Sequence, residues 1–148
     1  MSRLCYLLFL VLIAAITCGC STLHDFAIIN ASSEPVQVSV RYRNKQEVYF
    51  KITSAELFSQ SDKKWVDLTA GQFDFDKEKK AYTVTVEPGQ ALLVEEEINY
   101  TGHEHEIFEI EKISFNQGEK TRELEGKAAQ TAFEQQDGSD YALIFKGL

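Results

Sequence analysis

Val36, Val38, Val40 and Tyr42 alternate with Gln37, Ser39, Arg41 and Arg43. Apolar, largely β-branched residues at every second position mark a strand with one face buried and the other in water. The same period returns at Tyr82-Thr83-Val84-Thr85-Val86 and at Tyr141-Ala142-Leu143-Ile144-Phe145. Weaker versions occur at Phe26–Ile29, Val48–Ile52, Trp65–Leu68 and Phe73–Phe75. Turn-forming residues separate the runs at short intervals, at Ala31–Pro35, Ser61–Lys64, Ala70-Gly71, Asp76–Lys80, Glu87-Pro88-Gly89, Thr101-Gly102, Asn116–Lys120 and Asp137-Gly138. Only Lys127–Gln136 suits a short helix, bracketed by Gly126 and Gly138. Many short strands without strand–helix–strand alternation predict an all-β fold with antiparallel sheets.

Two segments break the alternation. In Ala91–Tyr100 the inward set Leu92, Val94, Ile98 and Tyr100 places Glu96 inward as well, unless a bulge within Glu95-Glu96-Glu97 shifts the phase. An unpaired carboxylate in a core costs several kcal/mol, so Glu96 is expected to be exposed or paired. In Glu106–Phe115 the apolar phase runs through Phe108 and Ile110, then switches to Ile113 and Phe115. A bulge near Glu111-Lys112 accounts for the switch. Phe26–Tyr42, an apolar strand, a Ser/Pro turn and a strict alternation, resembles the first two strands of immunoglobulin-like domains. Tyr82–Val94 resembles a sandwich hairpin turning at Pro88-Gly89. The resemblance implies an antiparallel immunoglobulin-like β-sandwich of about eight strands. A small β-barrel of lipocalin type is the alternative, although no Gly-x-Trp motif opens the domain.

The chain begins differently. Arg3 precedes an apolar run, Leu4–Ile16, too short for the about 20 residues a membrane-spanning helix needs. A positive charge, a short apolar run and small residues behind it are the pattern of a signal peptide. The following Ile16-Thr17-Cys18-Gly19-Cys20 resembles the lipobox of bacterial lipoprotein precursors, departing from it at Thr17, where that family usually has Leu. The resemblance implies cleavage before Cys20 and acylation of its thiol with palmitate-type chains. It divides the chain into a signal peptide (1–19), a lipidated cysteine with a short tether (20–24) and one domain (25–148). Ser21, not Asp, follows the cysteine. In the enterobacterial pattern this implies the outer membrane, facing the periplasm, or the outer face of the plasma membrane in a cell with one membrane. A plain secretory leader is the alternative. Between Cys20 and the first apolar strand lie only Ser21–His24, a reach of about 13 Å, so the domain is expected to sit against the bilayer.

Composition narrows the partners. Of the three cysteines, Cys5 and Cys18 go with the leader, so a domain without disulfides must be held by its own core. The net charge is −8, and the leader's one charge, Arg3, takes it to −9 on removal. Such acidity opposes binding to nucleic acid and to anionic lipid headgroups. The expected partners are the membrane, through the anchor, and an envelope protein near it.

Chemistry-bearing patterns are sparse. His103 and His105 fall on one side of a strand and are the candidate metal pair, with Glu109 or Glu111 behind them and His24 the only other histidine. A two-histidine pair falls short of the three or four protein ligands usual for zinc, so an exposed loop is the plainer reading. Arg41 and Arg43 share the outward face of a strict strand and are the candidate partner surface, with a solvated face as the plainer reading. Phe73-Asp74-Phe75-Asp76 is followed by lysines and reads as a strand end and turn. Asn30-Ala31-Ser32 and Asn99-Tyr100-Thr101 match the glycosylation pattern by accident. No nucleophile elbow, phosphate loop or His-Glu-x-x-His helix is present, and no motif calls for a cofactor. The expectation is a lipid-anchored, non-enzymatic envelope binding or assembly module. The alternative is a metal-binding periplasmic lipoprotein using the His-x-His pair.

Overall fold

The computed structural model describes residues 21–43, 56–59, 64–68, 73–76, 78–98, 109–136, 138 and 140–148. The described strands are β1 (Leu23–Asn30), β2 (Val36–Tyr42), β3 (Glu56–Ser59), β4 (Lys64–Asp67), β5 (Phe73–Asp76), β6 (Ala81–Val86), β7 (Ala91–Ile98), β8 (Ile110–Gln117), β9 (Lys120–Glu125), β10 (Glu134–Gln135) and β11 (Tyr141–Phe145). A helix, α1 (Lys127–Thr131), lies between β9 and β10. The strands form two sheets, ordered β10-β11-β1-β7-β3-β4 and β5-β6-β2-β8-β9. The fold is an all-β sandwich and not a closed barrel.

Alternation positions the core as expected. Val36, Val38, Val40 and Tyr42 of β2 point inward beside Tyr82, Val84 and Val86 of β6 and Ile110, Ile113 and Phe115 of β8. From the first sheet come Phe26, Ile28, Leu92, Val94, Leu143 and Phe145. The layers interlock through stacked rings: Phe115 and Phe145, from opposite sheets, have centroids 4.8 Å apart. Burying each such side chain contributes about 1.5–3 kcal/mol. The phase switch in β8 has the expected cause: pairing with β2 moves from Arg41↔Lys112 to Tyr42↔Ile110, leaving Glu111 as a bulge.

Four expectations change. The pairs are antiparallel except β1 with β11, which run parallel. Parallel neighbours need a long connection, and the whole domain lies between these two. The helix stops at Thr131 instead of Gln136. Thr131 Oγ1 turns back onto the Lys127 carbonyl, and Phe133 leaves the helix to meet Phe26 edge-on in the core, centroids 5.6 Å apart. β9 has no apolar alternation and almost every residue exposed, so only its pairing with β8 marks it as a strand. β1 starts at Leu23, which leaves Ser21 and Thr22 as the span from Cys20, a reach of about 7 Å. The expected strand Val48–Ile52 lies outside the described residues.

Candidate functional site

Polar groups enter the core at the end of the sandwich where β1 begins. The device is a bulge. Pairing of β1 with β7 steps from Ala27↔Leu93 to Phe26↔Glu95, leaving Val94 as the extra residue. Two consecutive residues, Val94 and Glu95, therefore face the core. Beyond the bulge the phase is inverted, with Glu96 exposed and Glu97 buried. The exposure expected of Glu96 is correct. Its consequence, that both neighbouring glutamates turn inward, is not evident in the sequence pattern.

Glu95 is 1% exposed, and its Oε1 accepts the Glu109 backbone N–H at 2.7 Å. Burial pushes its carboxyl up to about 9, and the negative charges of Glu97 and Glu109 push the same way. At neutral pH Glu95 therefore holds a proton. The other oxygen, Oε2, is buried with no hydrogen-bond partner among the described residues, an arrangement that suits a neutral carboxyl better than a charged one. Glu97 is also raised, chiefly by burial and then by the charge of Glu109. Behind this pair the Tyr42 hydroxyl donates to the Val94 carbonyl and lies 3.4 Å from the Tyr82 hydroxyl. Burial raises both phenols, and Glu95 raises them further.

This arrangement joins the layers. Glu95 and Val94 belong to the first sheet, whereas Glu109 leads into β8 and Tyr42 ends β2, both of the second. Two neighbouring inward carboxyls resemble an acid–base pair. At 1% exposure, however, Glu95 has no opening toward a substrate, and its chemistry here is to hold a proton and tie two sheets.

Of the residues singled out in the sequence, Cys20, His103 and His105 lie outside the described residues. Arg41 faces outward, its Nε 3.1 Å from Glu111 Oε2 but off the line of a hydrogen bond. Both side chains are well exposed, so the pair is worth little. The bulge at Glu111 delivers that carboxylate beside Arg41. Arg43 is half-buried, and its backbone N–H donates to the Glu109 carbonyl at 2.8 Å. Glu109 and Glu111 are thus separated in role, one at the buried cluster and one on the surface. His24 pairs across β7 with Glu97, its ring centroid 5.9 Å from that of Tyr141. Among the described residues no three of His, Cys, Asp and Glu are arranged to hold a metal. Asp76 accepts the Glu78 and Lys79 N–H groups in a turn, as expected.

At the opposite end an open polar groove of about 480 Å³ is lined by Ser32, Glu34, Gln117, Lys120 and Lys146. Its hydrogen bonds are largely internal: Gln117 bonds Ser32, and Lys120 Nζ donates to the Leu148 oxygen at 2.7 Å. No protein-family model, curated protein or solved structure matches the chain.

Proposed function

We propose that this protein is a lipid-anchored, non-enzymatic module of the cell envelope that binds or assembles a partner close to the bilayer. One observation carries the reading: the lipobox-like Ile16–Cys20 is followed by only Ser21 and Thr22 before β1, whose first residues pair in register with β7. An acylated Cys20 would hold the rim of the sandwich within about 7 Å of the headgroups. More than one acyl chain makes such attachment stable. Ser21 favours the outer membrane, periplasmic side. The acid-rich surface supports a protein partner over nucleic acid, because −8 of net charge opposes a phosphate backbone. The burial of Glu95, at 1% exposure, supports a binding role over a catalytic one.

The test is Cys20→Ala in the native cell with radiolabelled palmitate. The parent protein should take up label, fractionate with membranes and lose its leader by mass spectrometry. The variant should lose the label and keep the full leader. Equal labelling of both forms, or a parent whose mature end lies elsewhere than Cys20, rejects the reading.

A further inference from the structure

The outer surfaces of the two sheets differ in kind. On the second sheet the outward groups are polar and lie against one another. Lys112 bridges Glu123 and Glu125 at 2.7 and 3.1 Å, Arg41 contacts Glu111, and Thr83 bonds Ser39 across the strands. A sandwich face in water normally looks like this.

The outer face of the first sheet does not. Register places Ile144, Ile29, Ala91 and Phe58 in one row across β11, β1, β7 and β3. Ile144 is 44% exposed and the other three are half-buried. A second apolar row follows, Ala142, Ala27 and Leu93. The described helix packs on β8 and β9, away from this face. Toward the start of β1 the face turns acidic. Asp25 pairs opposite Glu96, and Asp140, just before β11, is close enough to raise the Asp25 carboxyl after burial has done so, with His24 acting the other way. Among the described residues no ion pair involves Asp25, Glu96 or Asp140. Asp25 Oδ1 is buried without a hydrogen-bond donor. Like charges on adjacent strands are unfavourable, and a buried acceptor without a donor costs about 1–3 kcal/mol. Both costs fall if a cation docks there.

We propose that this face docks a protein segment that is apolar where it crosses Ile144, Ile29 and Phe58 and basic where it meets Asp140, Asp25 and Glu96. The inference extends the reading of the protein as a binding module by naming the surface and the chemistry of its partner. Charge complementarity selects this occupant. A second copy of a chain with net charge −8 is repelled, and anionic lipid is repelled by the acidic row. Lipid tails are also poorly placed: on the anchored reading the acidic row is nearest the bilayer, and Ile29 lies about 13 Å farther out along β1.

The full chain in phosphatidylcholine nanodiscs is titrated with two fluorescent peptides, KVLVLVK and EVLVLVE. The lysine-ended peptide is expected to bind and the glutamate-ended one not to. Ile144→Arg and Glu96→Lys should each weaken binding by about tenfold or more, while Ser39→Arg on the other sheet leaves it unchanged. Ile144 and Glu96 are exposed, so unchanged melting temperatures will show that the variants fold. Equal binding of both peptides, or indifference to Ile144→Arg and Glu96→Lys, overturns the proposal. So does a dimer in analytical ultracentrifugation that Ile144→Arg dissolves, or quenching of a fluorophore at position 144 by brominated lipid. Peptide binding does not require acylation, so a chain found unmodified at Cys20 rejects the anchor alone.

Discussion

Asn30→Asp is expected to destabilise the domain by about 3–5 kcal/mol at neutral pH, the range for an uncompensated buried charge. Asn30 is 0% exposed and fully employed. Its Nδ2 donates to the carbonyls of Val86 at 2.8 Å and Glu34 at 2.9 Å, while Oδ1 accepts the Ser32 N–H and hydroxyl. Its backbone bonds Gln90 and Gly89 of the Glu87–Gln90 turn. One side chain thus ties the end of β1 to the end of β6 in the other sheet. Aspartate keeps the acceptor but has no donor, and it sets a negative charge against two carbonyl oxygens. Asn30→Leu removes the same bonds without adding charge and should cost less. Urea unfolding at pH 7 and pH 4 separates these terms, because protonation of the new carboxylate at low pH returns one donor and should recover part of the stability lost in Asn30→Asp. A variant within about 0.5 kcal/mol of the parent at pH 7 would show that water satisfies those carbonyls, against the full burial of this side chain.

The alternating strands β2 and β6 and their inward residues are legible in the sequence because period two and burial coincide there. So is the bulge at Glu111, since only an extra residue moves Ile110 and Ile113 onto the same face. Asn30 reads as part of a glycosylation-like triplet, and nothing local distinguishes a surface asparagine from one that joins two sheets, because its partner Val86 is 56 positions away. β9 is hidden because an exposed edge strand needs no apolar face. Its strand character comes from β8 across the Gly118 turn, where φ is +60°. The apolar outer face of the first sheet is illegible for a related reason. Ile144 lies within an unbroken apolar run, and only the registers of β11, β1, β7 and β3 align it with Ile29, Ala91 and Phe58.

The run Glu95-Glu96-Glu97 shows how one residue of phase reverses an electrostatic conclusion. A regular strand buries Glu96, whereas the bulge exposes it and buries Glu95 and Glu97. The folded chain then holds a proton on Glu95 up to about 9, while the unfolded chain releases it near the ordinary 4.5. Between those values the folded state binds one proton more, so stability must fall as pH rises. The slope is on the order of 1 kcal/mol per pH unit. The charges of Glu97 and Glu109 act in the same sense as burial, and the neutral phenols Tyr42 and Tyr82 offer no cation. The Glu109 backbone N–H, bonded to Oε1, acts the other way and is outweighed by burial. Glu95→Gln copies the protonated carboxyl, since its amide oxygen can accept the Glu109 N–H while its neutral NH2 takes the place of Oε2. This variant should match the parent near pH 5, melt several degrees higher at pH 8, and show a flatter dependence of stability on pH. Glu95→Leu removes the charge and also the acceptor for Glu109, so it should be less stable than Gln at every pH by about 1–3 kcal/mol. Thermal melts of the three proteins from pH 5 to 9 decide the matter. Parallel curves for the parent and Glu95→Gln would mean that Glu95 is already ionised in the folded protein, its charge met by a cation or by water at the rim.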